Sequence, residues 1–414
     1  MSLFHVLAAL VTLSALAGYL NYRLLRLPTS IGLMLVALVL SGALLALREA
    51  GLFHAAEAKA LLTSIDFGSL VLHGMLGFLL FAGALHVDLG RLKSEAWPVG
   101  LLATLGVAVS TAVSGLLFRI AAQALGIDIS LVHALLFGAV VAPTDPIAVL
   151  GILRKAGVPK DLELQITGES LFNDGVAVVV FLTLLQFAAQ GPNPSAGGAA
   201  LFLLQQVAGG LALGVAAGFC AYRLLHGVDE YPVEVLITLA AAMGAYSAAE
   251  AIGVSAPISV VAAGLVIGNQ GRAHAMSPRT RERVDAFWEL VDYVLNALLF
   301  VLLGLQLLAL EAAFSAGVQA ILIVASVPLA LLSRLAGVSL PLALLRPVRR
   351  FRSGSLSMLT WGGLKGGVSL ALALSLPAFP GRHIVLAATY AVVVFSVLAQ
   401  GLTLGRLAAR IAKG

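Results

Sequence analysis

Cysteine is almost missing from this chain: there is one, Cys220, in 414 residues. A disulfide framework and a cysteine-based metal site are both excluded. Cys220 sits in an apolar run and is expected to pack between helices. Charge is equally scarce. Asp, Glu, Lys and Arg make up 11% of the chain, against roughly 25% in an ordinary soluble domain, which rules out a soluble enzyme. No polar stretch is long enough for a separate domain, the longest running from Asn269 to Asp285. What the chain has is apolar side chains, 60% of residues, and 43 glycines, which allow the close helix contacts and broken helices of membrane transporters. The net charge of +5 does not imply nucleic acid, because basic residues of a membrane chain gather in cytoplasmic loops. The expected surroundings are a lipid bilayer, with no nucleic-acid partner and no cofactor.

A helix needs about 20 mostly apolar residues to cross the hydrocarbon core. Apolar windows fall at about 4–22, 29–47, 67–87, 97–121, 131–152, 164–189, 200–224, 232–252, 255–269, 287–310, 316–344, 355–377 and 384–408. The first starts without a basic region or a cleavage site and reads as a span rather than a signal peptide. Loops after the odd-numbered spans hold 19 of the 25 Lys and Arg; Arg48, Lys59, Arg382 and Arg119 fall on the other side. The positive-inside rule then places the N-terminus outside and the C-terminus in the cytoplasm, as expected for a multi-pass protein of a bacterial inner membrane. The fold class is an all-α polytopic membrane protein of about thirteen transmembrane helices, forming one transporter domain over 1–414.

An ionisable residue at mid-membrane costs about 2.5–3.5 kcal/mol on insertion scales, so each one needs a reason. Ala142-Pro143-Thr144-Asp145-Pro146 lies inside span five. Its prolines deprive the carbonyls of Ala139 and Ala142 of helical partners, and Asp145, preceding a proline, is pushed out of helical geometry. Broken backbone at membrane depth is tolerated where it is buried in protein or lines a cavity. The plainer alternative is a kink with a snorkelling aspartate. Gly168-Glu169-Ser170-Leu171-Phe172-Asn173-Asp174-Gly175 enters span six. Glu169 and Asn173 are four apart, as are Ser170 and Asp174, so the four share one helical face. An acidic helix start complementing the dipole would account for Glu169 but poorly for the deeper Asp174. In span twelve, Gly362-Gly363-Leu364-Lys365-Gly366-Gly367 surrounds one lysine with four glycines. That ammonium is expected to pair with Glu169, Asp145 or Asp174, either within the site or as its support.

Spans five and twelve each carry a break and a charge at mid-span, and each is the middle member of a run of three: four to six and eleven to thirteen. This arrangement points to two inverted repeats whose discontinuous helices cross at the midplane with the binding site between them. Carboxylates, a hydroxyl and freed carbonyls suit a small hard cation, without the thiolates or paired histidines that transition metals prefer. Asp174, Asp145, Ser170 and Thr144 are the expected ligands of a transported ion. The opposed pulls of burial, neighbouring acids and Lys365 would let Asp174 hold either a proton or a cation. Competition for one group gives exchange if the loaded core faces each side in turn.

These motifs closely resemble the NhaP-type sodium/proton antiporters. The resemblance extends through Gly362 to Leu374, Gly253 to Val261 with Gly264 and Asn269, Phe287-Trp288-Glu289 with Asn296 and Phe300, and Gln400-Gly401-Leu402-Thr403. It implies an NhaA-like antiporter fold and exchange of Na⁺, and also Li⁺, for H⁺ by alternating access. The Asn173-Asp174 pair implies an electroneutral one-for-one swap. Asp174 is implied as the ion- and proton-binding group, with Thr144, Ser170, Asp145 and Glu169 as further ligands and Asn173 positioning the helix beside Asp145. The family also implies a homodimer in which a core of about 97–189 and 316–408 moves against an interface bundle of about 1–90 and 200–310. A role in sodium and pH homeostasis follows from the same resemblance.

Two positions depart from the family pattern. Lys365 stands where arginine is usual and, unlike arginine, can lose its proton when buried. Ala82 replaces an acid that many relatives carry in span three, which is read as a change in packing or access. The chain ends at Gly414, so no long regulatory tail is expected. Glu250 and Arg119 are expected to snorkel at span ends, and His73 and His133 to pack or lie at an interface. Glu289 and Asp292 would flank an ion funnel, and Arg334 would pair with one of these outlying acids. The competing functions are a K⁺/H⁺ antiporter of the same fold, a cation channel, and an intramembrane hydrolase built on Asp145 and Asp174.

Overall fold

The computed structural model describes residues 3–51, 68, 70–145, 147–189, 196–314 and 317–413, and these are helical or connect helices, with no strand among them. Lipid offers no partner to a backbone N–H, so a chain this apolar satisfies its main chain within helices. In order they are α1 (Leu3–Leu20), α2 (Thr29–Glu49), α3 (Leu76–Leu85, entered through a π-turn at Leu70–Met75) and α4 (Leu89–Leu101, continuing through the π-turn Leu102–Gly106 into Val107–Ala124). Then come α5a (Leu131–Val141), α5b (Ile147–Ala156), α6 (Lys160–Ala189), α7 (Ala196–Leu225), α8 (Tyr231–Ile252), α9 (Ala256–Val266) and α10 (Pro278–Leu305). The last are α11 (Gly317–Leu345), α12a (Ser355–Trp361), α12b (Gly367–Leu374) and α13 (Arg382–Phe395, continuing through the π-turn Ser396–Gln400 into Gly401–Lys413).

Nine helices among the described residues are each long and apolar enough to cross a bilayer. The other four expected spans are the short α3 and α9 and the two interrupted helices α5 and α12. Helix ends run past the apolar windows where a cap allows it. Asp88 accepts the Arg91 N–H at 3.1 Å, which starts α4 at Leu89 rather than near 97. Ser277 accepts the Thr280 N–H and Pro278 takes the first helical position, so α10 begins nine residues before the expected 287. Both are favoured N-terminal devices. Lys59 and Pro146 lie outside the described residues.

Two sets of helices pack chiefly among themselves. In one, α4 lies on α5a and α11, α5a on α6, α11 and α12b on α13, and the end of α13 on α5b. In the other, α2 and α1 lie on α10, and α9 on α3, α7 and α8. They meet where α6 touches α7 and α9, where α2 touches α5b and where α10 touches α12b. Small residues set the closest approaches: a Cβ on Gly115 of α4 would come within 2.8 Å of the Leu135 Cα of α5a. Cys220 is exposed on α7 instead of packing between helices.

Polar side chains pin the ends. Pro98 has no N–H, which frees the Ser94 carbonyl one turn earlier, and Arg349 donates to it at 3.2 Å. Arg349 also pairs with Glu95 (2.6 Å), whose other oxygen accepts from Gln165 (2.7 Å), linking α4, α6 and the segment after α11. At the α3–α4 corner, Asn269 accepts the Leu89 N–H (2.8 Å) and donates to the Val87 carbonyl (3.0 Å).

Candidate functional site: the crossing of two broken helices

Helix α5a stops at Val141 because Pro143 cannot continue the hydrogen-bond ladder. Helix α12a stops at Trp361, where Gly362 and Gly363 weaken it. The two interruptions meet: the Asp145 N–H donates to the Leu364 carbonyl at 2.7 Å. Each break then caps the other. Lys365 Nζ donates to the carbonyls of Ala142 (2.9 Å) and Pro143 (3.2 Å), the C-terminal end of α5a, where the helix carries partial negative charge. Asp145 lies against the start of α12b, where partial positive charge collects. A Cβ on Gly366 would come within 2.7 Å of the Asp145 Cβ, so glycine is needed for that approach. The expected freed carbonyls are thereby placed: Ala142 accepts from Lys365, and Ala139 accepts from the Ala142 N–H at 3.4 Å.

Helix α6 passes this crossing with its polar face inward. Asn173 Nδ2 donates to Thr144 Oγ1 at 2.7 Å, and the Thr144 N–H returns a bond of 3.3 Å to Asn173 Oδ1. Thr144 Oγ1 also meets Ser170 Oγ at 2.8 Å. Asn173 therefore positions α6 against Thr144, not against Asp145 as expected. Glu169 is turned away from the break and held by Arg334 of α11 in a two-pronged pair, one prong 2.9 Å. Arg334 also donates to the Leu359 carbonyl near the end of α12a at 2.8 Å. This corrects two expectations: Arg334 does not pair with an outlying acid, and Lys365 does not take Glu169.

Asp174, 6% exposed, is one turn beyond Ser170. Its Oδ1 is buried with no hydrogen-bond partner among the described residues. It lies within electrostatic reach of Asp145 and Lys365. A cavity of about 290 Å³ brings Asp174 together with Asp145 and Thr144 and reaches the exposed His86 and Glu289 through Asp292. Ala82 is part of its wall. Ser170, Asn173, Glu169 and Lys365 stand behind that wall and do not line it. Among the outlying charges, Glu250 pairs with His73 (3.2 Å) and His133 stacks on Phe379 with centroids 4.0 Å apart.

Sequence reasoning passed over Ser396 and met Gln400 only as part of the family motif Gln400-Gly401-Leu402-Thr403, with no role given to it. Ser396 Oγ accepts the Lys365 N–H (2.8 Å) and donates to Gln400 Oε1 (2.6 Å), while Gln400 Nε2 donates to the Trp361 carbonyl (3.1 Å). The π-turn of α13 carries both residues, and such turns are frequent at functional sites. Hydroxyl and amide at a four-residue spacing was the available signal.

Comparison with known proteins agrees with this architecture. The chain matches the family described as "Sodium/hydrogen exchanger, transmembrane" over residues 10–410. It is 46% identical to the Na(+)/H(+) antiporter NhaP of Pseudomonas aeruginosa, over 99% of this chain and 97% of that protein. It is 36% identical to the Na(+)/H(+) antiporter NhaH of Halobacillus dabanensis, over 92% and 91%. The structure of the sodium proton antiporter MjNhaP1 from Methanocaldococcus jannaschii at pH 8 superposes with a TM-score of 0.77 over 100% of both chains, at 20% identity. With the match covering nearly every residue, from the first helix to the last, this chain is a multi-pass membrane protein that belongs to the sodium/hydrogen exchanger family.

Proposed function

We propose that this protein is a secondary antiporter that exchanges Na⁺ for H⁺, one for one, on the carboxylate of Asp174. The observation that carries the reading is the orphaned Oδ1 of Asp174, buried beside the helix crossing on a residue that lines the cavity. An unpaired carboxylate in a dry interior is costly. A proton neutralises it, and so does a sodium ion, but one group cannot hold both. Thr144 and Asp145 supply the neighbouring oxygens of the ion, and Ser170 and Asn173 hold Thr144 in place. The names of the relatives above support Na⁺ and H⁺ as the two substrates.

The same cost explains why exchange is obligatory. Moving an ionised, empty site through the bilayer centre adds about 2.5–3.5 kcal/mol to the barrier, roughly a hundredfold in rate. The loaded or protonated site escapes this term. The moving body is the core of α4–α6 and α11–α13, working against the remaining helices. The N-terminus is outside, so the cavity mouth at His86 and Glu289 faces the cytoplasm of a bacterial cell. The protein forms a homodimer and accepts Li⁺ as well as Na⁺.

Purified protein in liposomes should dissipate an imposed pH gradient when Na⁺ or Li⁺ is added, and Asp174→Ala should abolish this. Undiminished exchange in that variant would reject the assignment. K⁺ supporting the higher rate would make the protein a K⁺/H⁺ antiporter on the same site.

A further inference from the structure

The cavity holds a second set of oxygens that the Asp174 site does not use. Asn296 (5% exposed) on α10 and Ser369 (0% exposed) on α12b both line it, as does the carboxylate-bearing Asp292 one turn before Asn296. The Asn296 amide nitrogen donates to the Asp292 carbonyl at 2.7 Å and to its Oδ1 at 3.0 Å. Both partners are acceptors, so the amide cannot be turned over without setting oxygen against oxygen. Its Oδ1 is the atom left over, and it is buried with no hydrogen-bond partner among the described residues; the same holds for Ser369 Oγ. The two helices are in direct contact, since a Cβ on Gly367 would meet Leu299 Cγ at 2.6 Å. Buried polar atoms are nearly always satisfied. Two orphaned oxygens on touching helices, beside a carboxylate and carried by residues that line one cavity, call for an occupant that accepts electron pairs.

We propose that Asp292, Asn296 and Ser369 form a second binding site for a monovalent cation, from which the ion passes to Asp174. The proposal rests on the exchange reading above and deepens it. The donors are a carboxylate, an amide oxygen and a hydroxyl, all hard. One formal negative charge balances a single Na⁺ and leaves a divalent ion in excess. The position on the cavity wall between the exposed Glu289 and Asp174 fits an ion that has shed part of its water.

The test is Na⁺ binding to the purified full-length protein in detergent, followed by titration calorimetry, with exchange in liposomes measured alongside. Asp174→Asn should still bind Na⁺, about tenfold more weakly than the parent, a loss of roughly 1.4 kcal/mol. Adding Ser369→Ala or Asp292→Asn to that variant should remove the residual binding. In liposomes, Ser369→Ala alone should raise the half-saturating Na⁺ concentration about tenfold while leaving the maximal rate and the pH profile unchanged. Absence of Na⁺ binding in Asp174→Asn, or residual binding that survives both second substitutions, overturns the proposal: the oxygens then hold water only. Should Asp292→Asn fail to fold, Ser369→Ala decides alone, because it removes one oxygen without changing the packing. A parent that exchanges Na⁺ without showing residual binding in Asp174→Asn loses only this site. A parent that exchanges no Na⁺ loses the exchange reading as well.

Discussion

The two broken helices reach the same backbone problem and solve it with different chemistry. At the end of α5a the exposed carbonyls of Ala142 and Pro143 accept from Lys365, carried by the other break. At the end of α12a the Leu359 carbonyl accepts from Arg334, carried by α11 and neutralised by Glu169 of α6. The second arrangement is a closed ion pair, and its cation is always charged. The first puts an ammonium on uncharged carbonyls within the field of Asp174. A charge already matched by its own partner can only support the fold. A charge that is not so matched is felt by the ion site, so the α5 break is where a change of side chain can alter transport without dismantling the helix crossing.

The largest expected effect is on stability and belongs to α12a. Arg334→Met leaves Glu169 as an uncompensated buried charge and should cost about 3–5 kcal/mol, read as a lower melting temperature in detergent. The double variant Glu169→Leu/Arg334→Met should regain most of it. An Arg334→Met protein that melts like the parent would break the comparison at once. Next comes Lys365→Met, expected to leave two carbonyls unmet and to cost about 1–3 kcal/mol for each, with exchange falling further than stability alone explains. Lys365→Arg sharpens the point: exchange should persist and stay indifferent to a valinomycin-set voltage, as in the parent. A voltage dependence that is present in the parent and lost in Lys365→Arg would show that the lysine carries a second proton. Smaller again is Asn173→Ala, which removes both bonds to Thr144 and should raise half-saturating Na⁺ about tenfold, equivalent to one hydrogen bond of roughly 1.4 kcal/mol. The least for transport is Gln400→Met, losing its bonds to the Trp361 carbonyl and to Ser396 for about 0.5–1.5 kcal/mol each, visible in melting and scarcely in exchange.

Much of this architecture is legible in the sequence because lipid penalises charge. A proline-flanked acid in span five and a glycine-flanked lysine in span twelve have no place in an apolar helix unless the backbone breaks there, and both breaks are found. Partner choice is not legible in the same way. Arg334 and Glu169 are 165 residues apart, and nothing in either local stretch says that the arginine reaches the acid before Lys365 can. Lys365 itself was matched to carboxylates because charge seeks charge; its position above the end of α5a appears only once the breaks cross. Asn173 met Thr144 rather than Asp145 for a related reason: one residue along a non-helical segment turns a side chain to another face. The starts of α4 and α10 were misplaced because Asp88 and Ser277 extend helices into water, where apolarity gives no signal.

The contact from the Asp145 amide to the Leu364 carbonyl has one more implication. It is a strap made of main chain, so ordinary substitution on either side leaves it intact, and the joint can change its chemistry over evolution while keeping its shape. Proline at 145, having no amide hydrogen, is the one replacement that would unbuckle it.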